Sequence, residues 1–156
     1  MLIANKAVAT KLRDDDYPSI YRNHPDLCYE NIRRLKNPIT YCDENKYEWD
    51  EEIITRNILN KARNSVDSDI IKMFIARSMP KAYYSMSNIG HYGLGFECYT
   101  HFTSPIRRYP DMMTHRLLER CLKKKKIKNE NTLKRIQKIA ENCSIEEIYI
   151  QRHDVS

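Results

Sequence analysis

The sequence predicts a mostly helical α+β chain with one short strand segment near residues 92–102. Three observations carry that prediction. Apolar residues recur at helical spacing through most of the chain. Between Tyr92 and Phe102 the pattern gives way to a run rich in aromatics, which suits a strand. The three glycines of the 156 residues, Gly90, Gly93 and Gly95, all fall within six positions. Glycine serves where a backbone needs positive φ or a close approach by another group, so the cluster marks one backbone-critical place.

Taken in order, Leu2 to Leu12 reads as a short helix that stops at Asp14-Asp15-Asp16 and Pro18. YPSIYRNHPDLCY, with two prolines, reads as extended. Glu30 to Leu35 suits another short helix, and the polar run from Asn37-Pro38 to Trp49 suits a loop. Asp50–Arg63 and Asp67–Met79 carry helical periodicity; in the second, Ile71, Phe74, Ile75 and Met79 share one face, and Asp67 or Ser68 can cap it. After the strand segment, Pro105 and Pro110 bracket a short irregular turn. Asp111 is then expected to cap a helix running to about Lys125, with Met113, Leu117 and Cys121 at four-residue spacing. The lysine run Lys123–Lys128 closes it, with cations where the helix dipole favours them. A last helix is expected from about Asn131 towards Tyr149.

Composition narrows the class. Hydrophobic residues are 41% and charged residues 31% of the chain, ordinary for a globular domain and unlike a disordered one. No apolar run approaches the roughly 20 residues needed to span a bilayer. The start, MLIANKAVATKLRDDD, has no signal-peptide pattern, so a soluble, cytoplasmic protein without a membrane partner is expected. Five widely spaced cysteines without a CxxC point to reduced thiols rather than disulfides or a compact zinc site. A net charge of +6 favours an anionic partner without proving one.

The segment HFTSPIRRYPDMMTHR, residues 101–116, concentrates the chemistry. It holds two hydroxyls (Thr103, Ser104), two guanidiniums (Arg107, Arg108), two aromatics (Phe102, Tyr109) and a carboxylate (Asp111). Pro105 and Pro110 fix φ on either side of the arginines, so these project from a stiff turn. Guanidinium forks bind phosphate, hydroxyls donate to phosphate oxygens, and aromatics stack on bases. The turn also precedes a helix N-terminus, where backbone N–H groups favour an anion. The plainer reading is that Arg107 and Arg108 both pair with Asp111 and cap the helix; on composition alone the two readings weigh equally.

The run GHYGLGFECYTHFTSPIRRYPDMMTHR, from Gly90 to Arg116, resembles the signature of the RNB family of 3′→5′ exoribonucleases: a GL, then Y-x-HFTSPIRRY-x-D, then HR. Here these are Gly93-Leu94, Tyr99–Asp111 and His115-Arg116. IIKMFIARSMPKAYYS is similar to the family's helix before that signature, MLIANKAVA to its M-x-x-AN-x-x-VA element, and IYRNHP to its YR-x-HP. The resemblance is densest from 70 to 116, weakest from 37 to 66, and fits the ribonuclease R-like branch best. It implies hydrolysis of single-stranded RNA to nucleoside 5′-monophosphates at the base of a narrow channel, with Mg²⁺ activating water. It implies that Arg107 faces the scissile phosphate and that Thr103 and Ser104 position the RNA backbone. Arg108 and Tyr109 stand beside them at the RNA and, with Asp111, are expected chiefly to hold the turn. Gly93, Pro105, His115 and Arg116 are expected to support the site structurally.

Two departures qualify the resemblance. The family holds magnesium with a D-x5-D-x-DD cluster before the M-x-x-AN element; Asp14-Asp15-Asp16 is too compact to supply it, and Asp67-x-Asp69 reads as a helix cap. No metal ligands are therefore expected in these residues. The family also carries a glutamate in an A-E-R-D-V-like element followed by an S1 domain, whereas here the end reads QRHDVS, with Arg152 at the glutamate's place in a loose alignment. The expectation is the second half of a catalytic domain, inactive alone, whose partners are single-stranded RNA and a missing N-terminal half. A non-catalytic RNA-binding relative is the alternative. A helical module using Asp111–Lys128 as a basic helix is a weaker third reading, since a lysine run is ordinarily a solvated helix end. A metal site built from His24, His91, His101, His115 and Cys98 is weaker still, because no pair has HxxxH or CxxC spacing.

Overall fold

A computed structural model describes residues 1–26, 79–127 and 129–153. Among them are three helices and a two-stranded sheet, so the α+β, mostly helical expectation holds. The chain divides into two compact units, one of Met1–Pro25 with Lys81–Ser156 and one of Asp26–Pro80. The second falls almost wholly outside the described residues, and with it the expected helices Glu30–Leu35, Asp50–Arg63 and most of Asp67–Met79, the loop from Asn37, and Cys28 and Cys42.

In the first unit, α1 spans Leu2–Asp14 and buries Asn5, Ala9 and Leu12 along one stripe. It stops where the acidic triplet begins. The Tyr17 N–H bonds the Leu12 carbonyl at 2.8 Å and the Asp16 N–H bonds that of Arg13 at 3.0 Å, with Asp16 left-handed at φ 51°. This is the Schellman closure, made without glycine. The chain then forms β1, Tyr21–Asn23, antiparallel to β2, Tyr83–Ser85, with Tyr21 opposite Ser85 and Asn23 opposite Tyr83.

The predicted strand at Tyr92–Phe102 is not one. Tyr92–Leu94 is a 3-10 turn ended by left-handed Gly95 at φ 65°, and only Phe96 bridges back to His91. The glycines that drew notice fold the aromatic run over on itself, so no ladder can extend through it. What remains, Glu97 to Phe102, lies beside β1, with the Arg22 N–H on the Tyr99 carbonyl at 2.8 Å.

The second helix, α2, spans Tyr109–Leu122 and ends three residues short of the expected Lys125, closed by the same Schellman pattern with left-handed Lys124 at φ 53°. α3 spans Glu130–His153. Its Ile136 and Ala140 meet Leu117 of α2, Ile20 and Tyr84 in the main buried cluster. Each such large apolar side chain contributes about 1.5–3 kcal/mol on burial. Ser144 of α3 accepts the Tyr84 N–H at 2.8 Å, which ties the free edge of β2 to the helix. Cys98 and Cys121 are buried free thiols, and Cys143 is a half-buried one. No helix among the described residues is long and apolar enough to cross a membrane.

Candidate nucleic-acid interface

The signature segment is fixed at its upstream end by α1. Buried Asn5 donates its amide to the Tyr99 hydroxyl at 2.9 Å and accepts the Phe102 N–H at 3.1 Å. From the other side the His115 ring stacks on Phe102 at 4.0 Å, and its Nε2–H donates to the Phe102 carbonyl at 2.8 Å. Thr100 donates to the Ile20 carbonyl at 2.6 Å, and Thr114 to that of Pro110 at 2.9 Å. His115 thus helps to hold Phe102 in place, while exposed Arg116 reaches Met112 Sδ at 3.9 Å. Gly93 is placed by close approach: a Cβ there would lie 3.4 Å from the His24 ring, whose Nδ1 accepts the Gly93 N–H.

The arginine turn itself is a loop closed by the Arg108 N–H on the Ser104 carbonyl at 3.1 Å. Asp111 was expected to cap the helix. Instead α2 begins at Tyr109 after Arg108, with Pro110 in its first turn, where a missing N–H costs nothing. Asp111, wholly buried, reaches backwards: its Oδ2 accepts the Ser104 N–H at 2.8 Å and the Arg108 guanidinium at 2.9 Å. Arg108 is therefore spent on the turn. Arg107 is exposed and makes no hydrogen bond or ion pair with another described residue. Beside it Ile106 is fully exposed and Tyr109 46% exposed, so the tip Ile106-Arg107 with Tyr109 faces outward. Three polar atoms of this turn are buried without a partner among the described residues: Thr103 Oγ1, Arg108 Nε and Asp111 Oδ1. Ser104 serves the turn through its backbone.

His101, named above only in an unfavoured metal site, has a defined place in the structure. The Tyr84 hydroxyl lies 2.8 Å from its Nδ1, and its ring packs edge-on to Tyr84 and Tyr99. Burial, reinforced by the charges of Arg108, Arg22, His91 and Arg107, pushes His101 down to about 3, so the imidazole is neutral. Burial pushes Tyr84 up to about 12, so it stays a phenol. Arg22 lies over the Tyr84 ring at 4.5 Å and is clamped by both oxygens of Glu147, at 2.5 and 3.2 Å. Asn5, Arg22 and His101 all sit inside the quoted motifs, which is the signal that could have found them. Their partners stand up to 125 positions away and left none.

The lysine run lies at the other end of α2, roughly 20 Å from the turn at 1.5 Å per residue. It lines an open groove with Glu119, Arg120, Ile127 and Thr132. Among the described residues no three histidines, cysteines or carboxylates gather in a way that could hold a metal ion. The two carboxylates nearest such a role are engaged: Asp111 on Ser104 and Arg108, and Asp15 on Lys11 and Cys121. The described residues do not fit a magnesium site.

The RNB domain family profile matches residues 1–124. Ribonuclease R of Aquifex aeolicus is 35% identical over 150 residues, covering 94% of this chain and 21% of the relative. Ribonuclease R of Thermotoga maritima is 36% identical over 151 residues, covering 92% of this chain and 21% of the relative. The chain thus spans about a fifth of the length of these proteins. Mycoplasma genitalium RNase R, solved in complex with double-stranded RNA, superposes with a TM-score of 0.82 at 31% identity, covering 97% of this chain and 28% of the other. The yeast pseudonuclease Ssd1 shares the fold, with a TM-score of 0.69 at 22% identity, covering 91% of this chain and 18% of the other.

Proposed function

The chain belongs to the RNB domain family, and from that premise we propose that it is the second half of the catalytic domain of a ribonuclease R-like 3′→5′ exoribonuclease, supplying the groups that hold a single RNA strand by its backbone. One observation carries the reading: of two adjacent arginines, Arg108 is consumed by buried Asp111 while Arg107 stands exposed at the tip of the turn with no partner among the described residues. An exposed guanidinium held out by a stiff turn can receive a phosphate bidentately. When the phosphodiester is attacked, charge builds on its non-bridging oxygens, and a fixed cation there stabilises that charge at no cost of reorganisation. Asp111, Ser104 and Arg108 hold the turn in the geometry that Arg107 needs. Exposed Tyr109 stands beside it for ribose or base contacts, while the Thr103 hydroxyl is buried within the turn.

The family's hydrolysis depends on Mg²⁺ bound by an aspartate cluster, and the described residues do not fit such a site. The sequence also has no D-x5-D-x-DD pattern, and on that ground these 156 residues are expected to bind RNA without cutting it. A non-catalytic RNA-binding relative would use the same turn in the same way, and an in-frame D-x5-D-x-DD encoded upstream of Met1 would favour the exoribonuclease half. The test combines two assays on the purified chain. Affinity for labelled oligo(A) should fall steeply as salt rises, as backbone binding requires. A 5′-labelled oligo(A) incubated with Mg²⁺ should stay at full length. Processive shortening would show that these residues hold a working metal site, and absence of salt-dependent binding would remove the RNA reading itself.

A further inference from the structure

The Tyr84 hydroxyl has one proton and one partner among the described residues, the Nδ1 of His101 at 2.8 Å. Tyr84 is 4% exposed, so among the described residues its O–H either donates there or is left buried and unpaired. Donation to Nδ1 fixes the tautomer: the imidazole proton sits on Nε2. That second nitrogen has no hydrogen-bond partner among the described residues, and it is not one of the buried polar atoms left unpaired. A histidine kept only for packing has no use for so elaborate a lock. Its ring is wedged edge-on between Tyr84 and Tyr99. Tyr84 is capped by Arg22, and Arg22 is clamped by Glu147 of α3. The next residue, Phe102, is pinned by Asn5 on one side and His115 on the other. The position of this ring is set by two flanking rings and by the pinned backbone of its neighbour Phe102.

We propose that His101 is a further substrate-contacting residue of the same site, its Nε2–H donating to a non-bridging phosphate oxygen of the RNA strand that Arg107 faces, with Tyr84 and Arg22 as its positioning residues. A phosphate oxygen is the fitting acceptor because it is anionic, and a hydrogen bond to a charged acceptor is about twice as strong as a neutral one. A neutral donor also adds no third positive charge beside two guanidiniums. It keeps its hydrogen bond when salt weakens theirs. The inference rests on the RNA-binding reading, and the two can fail separately.

The test uses the 156-residue chain and fluorescein-labelled oligo(A), read by anisotropy. His101→Gln keeps an N–H donor near the Nε2 position. The pair Tyr84→Phe with His101→Phe removes hydroxyl and imidazole together, leaving no buried orphan. The double variant should weaken binding about tenfold, the worth of a hydrogen bond to a charged group, while His101→Gln stays within about threefold of wild type. Wild-type affinity in the double variant, with wild type itself binding, overturns the role of His101 and leaves the RNA reading intact. Failure of wild type to bind overturns both. Should the double variant not fold, long-range ¹H–¹⁵N correlation on the wild-type chain decides the matter. The His101 Nε2–H resonance should shift as oligo(A) is added, and an unmoved resonance sinks the proposal.

Discussion

Two arginines one bond apart have opposite duties here. Arg108 has 23% of its side chain exposed and is paired at 2.9 Å with a carboxylate that is wholly buried, whereas Arg107 meets no described partner. Removing Arg108 strands a charge in the interior. Arg108→Ala should therefore cost about 2–3 kcal/mol, at the low end for buried pairs because Arg108 is partly solvated. Arg107→Ala should change stability by no more than about 0.5 kcal/mol, as surface substitutions do. In a full-length parent it should lower turnover more than RNA affinity. Urea midpoints and single-turnover rates measure the two sides, and a reversed stability order would mean that the arginines had been assigned the wrong way round. The sequence made the turn legible, since two prolines, two arginines and Asp111 are plain to read. It did not say which arginine would pair. That follows from where the helix starts: with Arg108 as its N-cap, Arg108 and Asp111 stand three residues apart on the same side of the first turn.

Element by element, legibility followed length. The three helices were found within a few residues, because periodicity over 13 or more positions outweighs local noise. The two strands are three residues each, too short for alternation to register, and the aromatic run that imitated a strand is broken by the 3-10 turn and Gly95. The joint between α1 and the signature segment was invisible for a different reason. Asn5 is a poor helix former inside a helix, and its amide bonds the Tyr99 hydroxyl 94 positions away. Asn5→Ala should cost about 1–3 kcal/mol, since it leaves the buried Tyr99 hydroxyl and the Phe102 N–H without their partner. Thermal unfolding of the variant measures this. A neutral substitution would show that the segment is held by its neighbours alone.

At the scale of the described unit, rings run in an unbroken line from Tyr92 through His24, His91, Tyr99 and His101 to Tyr84, with centroids 5.0–6.5 Å apart. Two of its histidines are held neutral, His91 down to about 4 and His101 to about 3, against an ordinary 6.5. The unfolded chain thus binds more protons than the folded one between these values. The contribution of both rings to stability is complete above about pH 6.5 and is lost as pH falls towards 4. The melting temperature should drop across that interval, and His101→Gln should flatten part of the slope; a flat profile for the wild type would mean that the rings are not buried as described. The pairing of Asn23 with Tyr83 has a consequence of its own. It carries with it the pairing of Arg22 with Tyr84, so one register step sets the guanidinium over the ring at 4.5 Å. That strand pair is a seam: a slip of one residue would take Arg22 off Tyr84, and with it the support behind the His101 ring.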